Sequence, residues 1–330
     1  MIETIRTLVE SYGPSGHEDQ IRETILGLID GLADEVRVDN MGNVIAWKWA
    51  SDDSAPTVML SAHMDEIGMM VTHITEDGFL RFTNIGGLFR NTLHGQRVRF
   101  GDGTIGTIGT DSEVSSYQTG TMEQFYIDVS GNGAKPKVGD AAGLFREFEE
   151  RGDRLIAKSM DDRIGCAIQV EVMRALEGVN LPNNVAFVFS TQEEVGLRGA
   201  KTAAYAVNPD IGIALDVTRT GDTPKGVKME VKLGGGPAIK VKDSGMLAAP
   251  EVIDLLEKAG KKAKVATQRE VLEAGTTDAA SMQLVRAGVR AGCLSIPCRY
   301  IHTTSETVDK GDVEGCIKLL VTLLKDKVKV

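Results

Sequence analysis

Acidic residues and histidines stand where apolar strands end, and this placement constrains the fold more than any other feature of the sequence. Glu193 and Glu194 follow the apolar run 184–192. Four more strand ends carry similar groups: His63-Met-Asp65-Glu66, Ser159-Met-Asp161-Asp162-Arg163, Leu215-Asp216-Val217 and Tyr300-Ile-His302. In open α/β sheets, ligands gather at the carboxyl ends of strands. The pattern therefore predicts such a sheet, with a metal site distributed over five strand ends.

Apolar strand-like runs alternate with helical patterns outside one central region. Strands are expected at 57–62, 185–190, 211–216 and 291–296, and helices at 164–176, 199–206, 249–260, 278–287 and 308–325. Ser15-Gly-His-Glu18 reads as a capping box that opens a further helix through about Leu32. Asn40-Met-Gly-Asn43 signals a hairpin. Together these patterns predict an α/β fold whose mixed sheet is covered by helices on both faces.

The segment from about 70 to 154 has a different sequence pattern. It contains many glycine turns, among them Gly86-Gly87 and Gly101-Asp-Gly103, with short β-like stretches between them. The only helical signal is a possible turn near 144–150. We expect a small β-barrel or sandwich inserted into the larger domain. The predicted division is a discontinuous catalytic domain, 1–69 and 155–330, and an inserted β domain, 70–154.

Composition removes several classes of function. The chain of 330 residues has a net charge of −10, which argues against nucleic-acid binding. It has no run of about 18 apolar residues, so no membrane association is expected. The first residues lack the order of a signal peptide, and a cytoplasmic location is the expectation. Aromatic residues make up only 5% of the chain, which does not favour a carbohydrate cleft.

The residue types at the strand ends suit a pair of metal ions. His63 could bind one ion, with Asp65 holding its other ring nitrogen. Asp161 could bridge the two ions, Asp216 could complete the first, and Glu194 and His302 the second. Mixed nitrogen and oxygen ligands favour Zn²⁺ or Co²⁺. Such ions would share a water whose proton Glu193 takes as general base.

Each of these motifs also has an ordinary structural explanation. His63-x-Asp65 could arise by chance, Asp161-Asp162-Arg163 could be a loop with a surface ion pair, and Asp216 could cap a helix. His302 could be a polar turn residue. Their joint placement favours the metal interpretation, because converging carboxylates without cations would repel one another and lose solvation.

These motifs give the chain a resemblance to the tetrahedral (TET) metalloaminopeptidases, dinuclear enzymes described as glutamyl, leucyl or deblocking aminopeptidases and sometimes as endoglucanases. The motifs that carry it are Ser61-Ala-His63-Met-Asp65-Glu66-Ile-Gly68, Gly95-Gln-Arg-Val98, Met160-Asp161-Asp162-Arg163-Ile-Gly165, Gln192-Glu193-Glu194-Val-Gly196, Ala214-Leu-Asp216-Val and Arg299-Tyr-Ile-His302-Thr. The resemblance covers essentially the whole chain.

The resemblance implies a zinc-exopeptidase-like fold and two metal ions. It implies His63 and Asp216 on one ion, Glu194 and His302 on the other, and Asp161 as the bridge. Asp161 is chosen over Asp162 because, in related dinuclear peptidases, the bridging Asp precedes a cis peptide bond. Glu193 is implied as general base and Asp65 as the residue that orients His63.

The resemblance also implies a dimerisation role for the inserted domain and a tetrahedral dodecamer that admits short peptides. One departure lies in a loop expected near the substrate. Where the family commonly has Gly-Gly-Thr-Asp-Ala, this chain has Gly275-Thr276-Thr277-Asp278-Ala279.

An aminopeptidase is the leading function, and three alternatives stay open. A carboxypeptidase or N-deacylase of the same clan would use the same metal core, but such relatives usually insert their extra domain after the strand that corresponds to Asp216. An endoglucanase would need two carboxylates and no obligatory metal. A metal-binding scaffold without catalytic activity is the third.

Overall fold

The computed structural model describes residues 1–114, 118–131, 133 and 136–329. These residues form seven α-helices: α1 (Ile2–Glu10), α2 (Asp19–Leu28), α3 (Met160–Ala175), α4 (Arg198–Val207), α5 (Pro250–Ala263), α6 (Asp278–Gln283) and α7 (Lys310–Leu324). No helix in these ranges has the length and apolar character that crossing a bilayer requires.

The described residues also form seventeen strands. The first nine are β1 (Glu35–Val38), β2 (Val44–Lys48), β3 (Thr57–His63), β4 (Gly68–Ile74), β5 (Leu80–Ile85), β6 (Arg97–Phe100), β7 (Ile105–Thr110), β8 (Phe125–Asp128) and β9 (Ala141–Leu144). The other eight are β10 (Glu149–Arg151), β11 (Arg154–Ala157), β12 (Asn184–Ser190), β13 (Ile211–Thr218), β14 (Ala238–Lys242), β15 (Gln268–Val271), β16 (Arg290–Arg299) and β17 (Glu306–Asp309).

Eleven of the strands build one mixed sheet. Its order is β1-β2-β12-β3-β13-β16-β17-β11-β10, and β14 joins β16 on one side and β15 on the other. The central strands β12, β3, β13 and β16 are parallel to their neighbours in that group. β11 and β16 are both antiparallel to β17, so these two strands also run in the same direction. All five strands therefore end at the same edge of the sheet.

Helices cover both faces of this sheet, as the alternation in β12 illustrates. Val185, Phe187 and Phe189 point into a cluster formed with α1, α2, α3, α5 and α7. Ala186 and Val188 point into a second cluster, which α4 and α6 complete. Successive side chains of a strand face opposite sides, so both clusters need apolar residues from the same strand. The predicted α/β fold is confirmed.

A closed barrel is inserted between β3 and β10. Its strand order is β4-β5-β8-β7-β6-β9, with β9 pairing back onto β4. Met69, Phe82, Phe125 and Ile127 are among the residues that fill it. The sequence allowed a barrel or a sandwich, and the closure of β9 on β4 makes it a barrel.

The capping-box prediction at Ser15 is wrong. The helix begins at Asp19 and ends at Leu28, and its first turn receives no side-chain cap. The Ser15 hydroxyl instead donates to Asp65 Oδ2 at 2.6 Å. A contact 50 positions away in sequence therefore replaces the local bond that the pattern suggested.

Three other predicted boundaries also differ. α6 stops at Gln283, before Arg286 and Gly288, which both adopt positive φ. The last helix starts at Lys310, because Val308 belongs to β17 and Asp309 caps the helix by accepting from Gly311 N. The expected helical turn near 144–150 is instead the non-helical connection from β9 to β10.

Candidate metal centre

The five predicted site segments converge at the carboxyl edge of the mixed sheet. His63 is the last residue of β3, and Asp216 lies near the end of β13. Glu193 and Glu194 follow β12, Asp161 opens α3 just after β11, and His302 follows β16. This arrangement is what the common direction of these strands requires.

Asp161 stands between the two histidines. Its Oδ1 lies 3.0 Å from His63 Nε2, and its Oδ2 lies 3.3 Å from His302 Nε2. The peptide bond that joins Asp161 to Asp162 is cis. One carboxylate therefore presents a separate oxygen to each imidazole, which is the geometry that a bridging ligand needs.

Glu193 and Glu194 face the same two histidines. Glu193 Oε2 lies 3.9 Å from His63 Nε2, and Glu194 Oε1 lies 3.2 Å from His302 Nε2. One donor atom from each of His63, Asp161 and Glu194 fits within 4.8 Å of the others. This group could hold a metal ion.

A second group of possible metal ligands also includes His63. One donor atom from each of His63, Asp162 and Asp216 also fits within 4.8 Å of the others. Asp162 is fully buried, and its Oδ1 accepts from Gly165 N at 3.1 Å. Asp216 is therefore positioned to bind an ion beside His63.

Asp65 holds several of these residues in position. Its Oδ1 lies 3.5 Å from His63 Nδ1 and accepts from Glu193 N at 3.0 Å. Its Oδ2 accepts from Ser15 Oγ at 2.6 Å and from Glu194 N at 3.3 Å. The fully buried Asp65 carboxylate is therefore in contact with one imidazole and with the backbone of both glutamates.

Glu306 is a site residue that the sequence analysis missed. Its Oε2 accepts from Asp161 N at 2.9 Å, and its Oε1 accepts from His302 N at 2.6 Å. One buried carboxylate thereby joins two segments that carry predicted ligands. Glu306 is the first residue of the short strand β17, and nothing in its local sequence marks it.

Asp278 was also missed as a support of the centre. Its Oδ2 accepts from Ser61 Oγ at 2.7 Å and from Ser190 Oγ at 2.6 Å. These serines lie on β3 and β12, the strands that deliver His63 and Glu193. Asp278 belongs to the loop 275–279, in which this chain departs from the common family sequence, and which we call the departure loop. Through Asp278, the departure loop therefore contacts the strands that carry the site residues.

The pKa shifts of the buried groups reflect the concentration of negative charge at this site. Burial raises the pKa of Glu193 and of Asp216 well above the ordinary range, and neighbouring carboxylates raise both further against the opposing effect of His63. Burial alone would lower the pKa of His302, but the nearby carboxylates of Asp161 and Glu194 raise it to about 12. The acids thus favour any cation that can enter the site.

Two buried carboxylate oxygens provide an independent test of whether cations fit. Glu194 Oε1 and Asp162 Oδ2 are both buried without a hydrogen-bond partner. The 3.2 Å approach of Glu194 Oε1 to His302 Nε2 is close enough for charge attraction but lacks hydrogen-bond geometry. Oxygens in this state are costly unless a cation binds them. The donor set of imidazoles and carboxylates fits divalent transition metals.

Comparison with known proteins identifies the family. A model of the M42 glutamyl aminopeptidase family matches residues 42–319. The chain belongs to this M42 family. It is 36% identical to the lysyl aminopeptidase of Pyrococcus furiosus over 342 positions, which cover 98% of this chain and 96% of that one.

Two solved structures show how closely the fold is shared. The aminopeptidase APDkam598 of Desulfurococcus kamchatkensis has a TM-score of 0.93 and 37% identity, over 98% of this chain and 94% of that one. The TET1 peptidase of Pyrococcus horikoshii, described as assembling into a tetrahedron or a large octahedral shell, has a TM-score of 0.87 and 30% identity. That match covers 98% of this chain and 99% of the other. The chain is thus an aminopeptidase, a hydrolase of peptide bonds.

A cavity of about 370 Å³ opens in front of the centre of this M42 aminopeptidase. Asp161, Glu193, Glu194, Asp216 and His302 all line it. Its remaining wall includes Phe89, Leu197, Arg219, Lys240, Leu272, Gly275, Thr276, Thr277 and Ile301. The departure loop therefore borders the space where a peptide would bind.

We predict that Glu306→Ala destabilises the enzyme and impairs its activity. The change leaves the backbone N–H groups of Asp161 and His302 without their acceptor, at a cost of about 1–3 kcal/mol each. Chemical unfolding and kcat/KM on an aminoacyl-anilide would measure the two effects. Glu306→Gln keeps one acceptor oxygen and should fall between the wild type and the alanine variant. An alanine variant with wild-type stability and activity would show that Glu306 is not needed to hold the segments of Asp161 and His302 together.

Proposed function

We propose that this M42 aminopeptidase removes N-terminal residues from short peptides with two divalent metal ions per chain, Zn²⁺ or Co²⁺. The residues that would hold the ions are His63, Asp161, Glu194, Asp216 and His302. The observation that carries the proposal is the placement of Asp161, whose two oxygens face His63 at 3.0 Å and His302 at 3.3 Å. Two ions, when bound, would supply Lewis acidity that acidifies water and polarises the scissile carbonyl.

Glu193 is the proposed general base. Its carboxylate lines the cavity and lies beside His63. Among the described residues, no group donates a hydrogen bond to this carboxylate, so both of its oxygens remain free to accept a proton. Burial raises its pKa well above the ordinary value. A carboxylate with a raised pKa can take a proton from the attacking water and give it to the leaving amine at neutral pH.

Asp65 is the proposed orienting residue. Its contact with His63 Nδ1 would fix the ring so that Nε2 faces the metal side. Its bonds to the backbone of Glu193 and Glu194 would hold the base and one proposed ligand at a constant distance from His63. A single carboxylate would therefore position three of the working groups.

The quaternary structure and domain roles are further parts of the proposal. We divide the chain into a catalytic domain, residues 1–69 and 155–330, and an inserted domain, 70–154, that serves dimerisation. By analogy with the TET1 peptidase of P. horikoshii, six dimers would form a tetrahedral dodecamer that admits short peptides. The cytoplasmic location remains a prediction.

Light scattering on the purified protein should give the mass of a dodecamer, and a stable monomer would contradict the assembly.

We predict that Glu193→Gln lowers kcat by about 10²–10⁴-fold, the usual contribution of a general base. The amide keeps the shape of the side chain but cannot take the proton. Metal content, measured by mass spectrometry of the purified protein, should stay at the wild-type level. Glu76→Gln, which alters an exposed carboxyl in the barrel, should change neither quantity. Turnover at the wild-type rate in the Glu193 variant would rule out this base.

Metal removal should abolish activity and lower the thermal unfolding midpoint. Chelation would leave the carboxylates of the centre without cations, and their repulsion destabilises the folded state. Zn²⁺ or Co²⁺ added back should restore both properties. Activity that persists through exhaustive dialysis against a chelator would contradict the two-metal mechanism. Metal-independent cleavage of cellulose would favour the endoglucanase alternative.

A further inference from the structure

A four-residue segment of the barrel, residues 86–89, lies against the candidate metal centre, and we call it the ledge. The ledge follows β5 and begins with the glycine pair Gly86-Gly87. It ends at Phe89, which lines the cavity in front of the proposed ligands. A glycine pair is common in a turn between two strands, but this turn also lies against the proposed metal-binding residues.

Gly87 is in close contact with His302. A Cβ atom added at Gly87 would lie 2.8 Å from His302 Nδ1 and 3.0 Å from its Cε1. Both distances are shorter than a normal van der Waals contact, so a side chain at position 87 would have to displace the imidazole of His302. The imidazole therefore has no room to move towards the barrel.

Gly86 stands in the same relation to Glu194. Its φ is +69°, and an added Cβ would lie 2.9 Å from Ile67 Cγ2 and 3.1 Å from Glu194 Cβ. The backbone conformation and the close approach both call for glycine. The ledge thus borders the two residues that would hold one of the proposed metal ions.

Other barrel residues hold the loop that carries His302. His302 adopts a φ of +64°, in the left-handed region. The next residues of the loop are held by Gln96, whose Oε1 accepts from Thr304 Oγ1 at 3.1 Å, and by Arg146, which donates to Thr304 O at 3.3 Å. Gln96 and Arg146 therefore hold the loop at Thr304, two residues after His302, on its barrel side.

Phe89 presents an aromatic wall to the cavity. Its ring centroid lies 6.0 Å from that of His302, at an interplanar angle of 37°. The side chain is 42% exposed, and it shares the cavity with the apolar side chains of Leu197 and Ile301. An apolar side chain of a bound peptide would cover this surface and remove it from water.

We propose that the ledge is part of the active site. Gly87 is a positioning residue that holds His302 in place, and Phe89 contacts an apolar side chain in the first or second residue of the peptide. This proposal rests on the proposed two-metal function. It gives the barrel a role in catalysis besides dimerisation.

Gly87→Ala tests the positioning role. Gly87 does not adopt a positive φ, so alanine suits its backbone and the effect comes from the clash with His302. Competition with a chromophoric chelator should show that one of two Zn²⁺ ions binds about 10–100-fold more weakly. Gly27→Ala, where an added Cβ meets nothing within 4 Å, should bind Zn²⁺ as the wild type does.

The outcomes of this test separate the inference from the function on which it rests. Wild-type Zn²⁺ affinity in Gly87→Ala would overturn the positioning role. A wild-type protein that binds no Zn²⁺ would instead overturn the two-metal function, and the inference with it.

Phe89→Ala tests the substrate contact. The dipeptides Leu-Gly, Gly-Leu and Gly-Gly place the apolar side chain first, second or nowhere. We expect the substitution to lower kcat/KM about tenfold for one of the two leucine dipeptides and to leave kcat/KM for Gly-Gly unchanged. Zn²⁺ affinity should not change, and Phe89→Leu should recover most of the loss. The leucine dipeptide that responds identifies the position of the side chain. Unchanged values, or an equal fall for all three dipeptides, would overturn the contact.

Discussion

Repulsion among buried carboxylates governs the carboxyl edge of the mixed sheet. Asp65, Asp161, Asp162, Asp216 and Glu306 all lie below a tenth of their full exposure. Each one loses solvation on folding, and each raises the cost of ionising its neighbours. The fold can keep such a cluster only if hydrogen-bond donors or cations compensate it. These two forms of compensation divide the acids into two groups.

Protein donors compensate the outer group. Asp65 accepts from a serine hydroxyl and two backbone N–H groups, and Glu306 accepts from two backbone N–H groups. The inner group lacks such donors. Among the described residues, Glu193 and Asp216 accept no hydrogen bond, and one oxygen of Glu194 is buried without a partner. Glu194 and Asp216, two of the proposed ligands, thus line the cavity without the protein donors that compensate the outer group.

The sequence predicts the inner group better than the outer one, and the reason is physical. His63, Glu194 and Asp216 end or follow apolar strands, and parallel strands bring their carboxyl ends to one edge. Among the supports, only Asp65 follows from local sequence, through its spacing to His63, and no comparable rule applies to the others. Ser15 resembles a helix cap, because its bond to Asp65 spans a distance in sequence that no local pattern encodes. Glu306 stands in a strand of four residues, too short for periodicity to mark. Barrel closure likewise depends on the nonlocal pairing of β9 with β4.

The position of the barrel in the chain follows from the same centre. β4 begins five residues after His63, and the chain leaves the barrel through β10 and β11 to reach Asp161. Glu66 joins the two ends of this insertion, since it accepts from Lys158 Nζ at 2.5 Å and from the Ser159 hydroxyl. A buried ion pair contributes little net stability, because desolvation offsets most of its attraction. Its value here is geometric, since it fixes the spacing between the segments that carry His63 and Asp161. The barrel is therefore anchored at the distance from the centre at which its glycine pair meets His302 and Glu194.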